Sequence, residues 1–194
     1  MAALATFALA GALGGAAAPA LAQTRAGAMA AVAPMPVEKN PPGDISDNQA
    51  FVAWRSPLGF SIQVPEGWAR HDLADGALFS DKYNAVRVTV TPSPAAPSIA
   101  SVRANEVAAL QRLPKAVEVL DVRALTLPAG PAVVVRYRAN SDPNPVTDKA
   151  IRLDCEGVFL WRAGRLATMT LSAPVGADNV DPWRVVTRSF AWAK

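Results

Sequence analysis

Cysteine and histidine are almost missing from this chain: its 194 residues include one of each, Cys155 and His71. A lone cysteine excludes a disulfide-stapled scaffold, so the core must hold by burial alone. A lone histidine leaves zinc and iron without their usual ligand sets. Charge of one sign is also scarce. Nineteen basic and sixteen acidic side chains are interspersed and leave a net charge of +3, which argues against nucleic-acid binding. Beyond the N-terminus no apolar run reaches the length of a membrane span, and no charged low-complexity tract occurs. Phosphate-loop, dinucleotide, nucleophile-elbow and metalloprotease patterns are absent. The sequence therefore calls for no catalytic residue, no metal and no cofactor.

What is present begins with an address. Residues 1–22 carry no charge and pass through Leu4, Phe7, Leu9 and Leu13 to Ala20 and Ala22, the profile of a secretory signal peptide cleaved before Gln23. The first basic residue is Arg25, so the usual basic start is lacking. The expected location is periplasmic or extracellular, with no transmembrane span in the mature chain. Residues 23–50 are rich in Ala, Pro and Gly and read as a linker, leaving 51–194 as one domain.

Within that domain the period is mostly two. Phe60, Ile62 and Val64 alternate with Ser61 and Gln63, and Val86, Val88 and Val90 with Arg87 and Thr89. Ala77–Phe79 makes a short strand. Val117–Leu127 reads as one or two strand segments and Pro128–Gly130 as a turn, after which Val133, Val135 and Tyr137 alternate with Arg136 and Arg138; 149–172 reads as a hairpin turning at Ala163 and Gly164. In its first half Ile151, Leu153, Cys155, Phe159 and Trp161 share a face opposite Arg152, Asp154 and Glu156. Ser98 caps a helix that runs to Leu113, with Ile99, Val102, Val107, Leu110 and Leu113 toward the core. Asp181 and Pro182 open a second, shorter helix carrying Trp183, Val185 and Val186. The expected class is α+β: a twisted antiparallel sheet covered by helices on one face.

This order resembles the PsbP-like fold, shared by extrinsic subunits of photosystem II and LpqN-type bacterial exported proteins. The resemblance covers about 51–194 and rests on Val64, Pro65, Glu66, Gly67 and Trp68, the strand-rich middle, and Leu171, Ser172, Ala173 and Pro174 with Trp183 and Phe190. It implies a non-catalytic domain that docks on a larger assembly. The lipobox of the lipoprotein members is lacking, and nothing identifies a photosystem partner.

Chemistry-bearing residues have bland readings beside functional ones. His71 beside Asp72 could orient a base, but it reads as an exposed side chain of a polar loop. Cys155 reads as a buried thiol, and Asp154 and Glu156 as a solvated surface balanced by Arg152. Arg87, Arg136, Arg138 and Arg152 project from polar strand faces and would form a basic patch if their strands were neighbours. Asn144 in the 140–148 loop, with Asp178 and Asn179 ahead of the last helix, completes the candidate partner-binding set. The function expected is an exported, non-catalytic domain binding a protein or envelope component. The alternative is a periplasmic enzyme or small-ligand binder with a loop-borne site near His71.

Overall fold

Alternating valines and aromatics place strands throughout the domain. A computed structural model describes residues 32–39 and 43–193. The expected leader, 1–22, lies outside the described residues. The strands are β1 (Phe51–Ser56), β2 (Phe60–Pro65), β3 (Ala69–Leu73), β4 (Gly76–Asp81), β5 (Asn84–Pro92), β6 (Glu118–Leu127), β7 (Gly130–Asn140), β8 (Arg152–Arg162), β9 (Arg165–Pro174) and β10 (Ala191–Trp192). Helical segments are α1 (Ile99–Val102), a π-helical turn (Arg103–Val107), α2 (Ala108–Gln111) and α3 (Val180–Ser189).

Two antiparallel sheets form. A large one has the order β3-β4-β5-β9-β8-β7-β6, and a small one the order β1-β2-β10. Short turns dictate the antiparallel pairing. The β8–β9 hairpin closes through Ala163 and Gly164, both at positive φ, as the tight hairpin turn requires. Gly76 permits β4 to approach β5, because a Cβ there would overlap the Val88 carbonyl.

At its middle the large sheet is buried on both faces. Val133, Val134 and Val135 are consecutive in β7 and all buried, so at β7 both faces are covered. One face packs Val122, Val133, Val135, Cys155 and Phe159 against Val102 and Val107 of the first helical stretch. The other packs Val86, Val134, Val158, Leu160 and Met169 against Phe60 and Ile62 of the small sheet and Val186 of α3. Helices thus stand on both faces, which corrects the expectation of one covered face.

The π turn also explains a misplaced stripe. Val102 and Val107 are five apart, about 140° from each other on a regular α-helix; the wider turn brings both toward the sheet. Ile99 and Leu113, expected in the core, are exposed instead. Ser98 does cap this helix, through a reciprocal pair with Ser101. The last helix begins earlier than Asp181: its N-cap is Asn179, and Asp181 sits in its first turn.

Part of the stretch read as a linker lies against the domain. Ile45 is buried, and its amide donates to Asn179 Oδ1 at 2.7 Å. Asn179 Nδ2 donates to the Gly43 carbonyl, and Asp44 Oδ1 accepts from the Asp178 amide. Farther upstream, the Met35 amide donates to Asn140 Oδ1, and Asn140 Nδ2 to the Ala33 carbonyl.

An aromatic group joins the two sheets. Phe190 stacks on Phe60 at 5.5 Å and meets Trp192 edge-on at 5.1 Å, while Trp54 contacts both Phe60 and Phe79. Phe190→Ala is expected to destabilise by about 3–5 kcal/mol in denaturant melts; a loss below about 1 kcal/mol would contradict this packing.

Candidate functional site

Strands β6 to β8 change character along their length on the face turned toward α3, while β9 stays apolar through Leu171 and Ala173. Register places Ala132, Val134, Val158, Leu160, Ala167 and Met169 on the apolar part of this face. Two residues farther along, the same alternation delivers charges. Asp121 stands opposite Arg136, which stands opposite Glu156; the next row sets Glu118 opposite Arg138 and Arg138 opposite Asp154. Each β7 arginine is therefore flanked by a carboxylate on both sides. Charges directly across strands attract at modest strength.

Above this band lies α3, and the space between forms a groove of 380 Å³. Its floor is Arg123, Arg136, Asp154 and Glu156. Leu125, Leu127 and Ala173 line its apolar side, and Trp183, Arg184, Thr187 and Arg188 descend from the helix. The i, i+4 spacing of Trp183 with Thr187 and of Arg184 with Arg188 puts all four along one flank of α3.

Several of these charges are already engaged. Arg138 Nε meets Asp154 Oδ1 at 2.9 Å, Arg123 pairs with Asp121 at 3.1 Å, and Arg184 with Asp181 at 2.7 Å. Among the described residues, Arg136, Arg188 and Glu156 make no ion pair. Burial pushes the Glu156 carboxyl above its ordinary range, with Arg123 and Arg136 opposing that shift.

The four strand arginines do not make one patch. Arg136 and Arg138 share the groove face. Arg87 is on β5, which pairs with β4 and β9, and alternates with the buried Val86 and Val88, so it projects from the opposite face. Arg152 is buried, its side chain 3% exposed. Its guanidinium donates to the Ala116 carbonyl at 2.7 Å, to Asn140 Oδ1 and to Glu118 Oε2. It therefore holds the end of the sheet together, unavailable to a partner.

The loop candidates are also structural. Asn144 Oδ1 accepts from the amides of Val146 and Thr147 and shapes its own turn. Asn179 lines the groove but commits its amide group to Gly43, Ile45 and Asn84. The Asp178 amide is taken by Asp44. His71 sits on edge strand β3, not in a loop, and neighbouring Asp72 pairs with Arg70. Neither Asp154 nor Glu156 is a freely solvated surface group: both are partly buried in the groove. Arg123, Trp183 and Arg188 escaped sequence reading. For Arg123 the signal is the switch from apolar to charged residues in one phase of neighbouring strands, which needs the register to be noticed; Trp183 and Arg188, on α3, carry no such signal.

No family model and no curated protein matches the chain. Among solved structures, the solution structure of cyanobacterial PsbP, CyanoP, from Synechocystis is similar over 77% of this chain and 98% of that one. Its TM-score is 0.54 at 15% identity. The chain has a PsbP-like fold. A crystal structure from Bacteroides thetaiotaomicron is similar over 73% of this chain and 48% of its own, with a TM-score of 0.50 and 12% identity. At these identities the PsbP-like likeness is one of fold, and function must be argued from the groove.

Two outcomes test this electrostatic account. A carboxyl whose native pKa is raised leaves no penalty below its unfolded pKa and destabilises as pH rises through the native value. Glu156→Gln is thus expected to melt higher than the parent near about pH 8 and to converge with it near about pH 3.5. Cys155 is buried, which pushes its thiol up to about 12. A thiol reagent should label it slowly in the native chain and fast in denaturant; rapid native labelling would place it outside the core.

Proposed function

We propose that the protein is an exported, non-catalytic binding domain that receives a protein or envelope component at the groove between β6–β9 and α3. One observation carries the reading: Arg136, Arg188 and Glu156, without an ion pair among the described residues, converge there beside Leu125, Leu127 and Trp183. Unpartnered charge next to apolar surface in a concave site is the usual composition of a binding site. The uncharged leader ending at Ala22 supports the exported address.

An enzyme centred on His71 has less support. Its neighbour Asp72 is engaged by Arg70, so no carboxylate orients the imidazole from that position. Cys155, the one thiol, is buried with a raised pKa, opposite to what a nucleophile needs.

The test is capture of a component from a native envelope extract by the immobilised full chain. Retention is expected for the parent and for His71→Ala, and loss for Arg136→Glu at unchanged melting temperature. Retention by Arg136→Glu would move the binding surface elsewhere, and loss with His71→Ala would restore the alternative site.

A further inference from the structure

The charge arrangement in the groove narrows the ligand class, on the footing that the groove is the binding site. Glu156 and Arg136 are directly opposite on β8 and β7, so their Cβ atoms are about 5 Å apart. Neither is ion-paired among the described residues, and Arg188 of α3 adds a second unpaired guanidinium to the same cavity. Leu125, Leu127 and Trp183 provide an apolar wall beside them.

A simple anion fits this set poorly, because it would sit against Glu156 and Asp154. A simple cation would face Arg136, Arg188 and Arg123. Net charge does not decide the matter, since Asp121 and Glu118 flank the β7 arginines on one side and Asp154 and Glu156 on the other. What the floor offers is one acceptor and one or two donors at neighbouring positions. A zwitterion that holds an ammonium and a carboxylate within a residue or two of each other, as an amino acid or a dipeptide does, presents one charge to each of these cross-strand neighbours.

We propose that the groove binds a zwitterion of amino-acid or short-peptide size, with its ammonium at Glu156, its carboxylate at Arg136 and Arg188, and an apolar side chain against Leu125, Leu127 and Trp183. The volume of 380 Å³ suits such a ligand. A guanidinium grips a carboxylate through paired N–H donors, which gives orientation as well as strength. An ammonium at Glu156 would offset the cost of charging a carboxyl in a partly buried place.

Isothermal titration of the full chain with four probes tests this: L-leucine, leucyl-leucine, L-leucinamide, which lacks the carboxylate, and 4-methylpentanoate, which lacks the ammonium. Saturable binding of leucine or leucyl-leucine is expected, the tighter of the two showing whether a free amino acid or a peptide is preferred. Leucinamide and 4-methylpentanoate should each bind weaker by about tenfold or more. Arg136→Gln and Glu156→Gln should each weaken the zwitterion by a similar factor, with folding checked by melting curves. Binding of 4-methylpentanoate as tight as leucine, or no saturation by either zwitterion, would overturn the proposal. If the Arg136-dependent capture of an envelope component persists in that case, the groove remains a binding site and only the ligand class falls.

Discussion

The long strands of the large sheet outreach the layer that covers them. β6 to β9 run 10 or 11 residues, and β1 and β2 only six. At about 3.3 Å per residue, the small sheet spans roughly 20 Å against roughly 35 Å for the strands beneath it. Where the cover is present, burial demands valine, leucine and methionine. Farther along, β6, β7 and β8 continue with charged side chains, and α3 lies over them without closing the space. The groove lies where the apolar part of this face gives way to the charged part beneath α3.

The charged ends of β6, β7 and β8 leave backbone groups and charges to be fixed in place. Arg152 does much of this. Its buried guanidinium draws together the Ala116 carbonyl, Asn140 of β7 and Glu118 of β6. A cation placed in this way is costly to desolvate, and its partners become orphans if it is removed. Its benefit is geometric: Asn140, held by Arg152, also receives the Met35 amide and donates to the Ala33 carbonyl. At the other side of the groove Asn179 does the same for Gly43 and Ile45. The segment ahead of β1 is thereby pinned at both points by buried polar side chains.

Much of this fold was legible from alternation alone. β2, β5, β7 and the β8–β9 hairpin follow the pattern of side chains, and the Ser98 cap and the Ala163–Gly164 turn follow local chemistry. β1 and β3 were not legible. Phe51–Ser56 gives the burial order of an edge strand with one exposed flank, and Ala69–Leu73 is almost wholly exposed, so neither displays a hydrophobic period. The linker reading failed to anticipate Ile45, because a single apolar residue among prolines and polar residues carries no period at all. Site reading went astray for a different reason. Arg87, Arg136, Arg138 and Arg152 look equivalent along the chain, but pairing order and face separate them into an outward residue, a groove residue, an ion-paired neighbour on the same face and a buried clamp.

That separation bears on how the groove recognises anything. A basic patch attracts by net field, which acts at a distance and is weakened by salt. Here the arginines of β7 lie between acidic neighbours on β6 and β8, so their fields largely cancel beyond a short range. Selectivity then depends on contact geometry: which guanidinium lacks a partner, and which carboxyl lies beside it. Desolvation sharpens this dependence, since an incoming charge that finds no complement in the groove loses its water without replacement. A surface that is nearly neutral overall can thus discriminate strongly among ligands by the order of their charges.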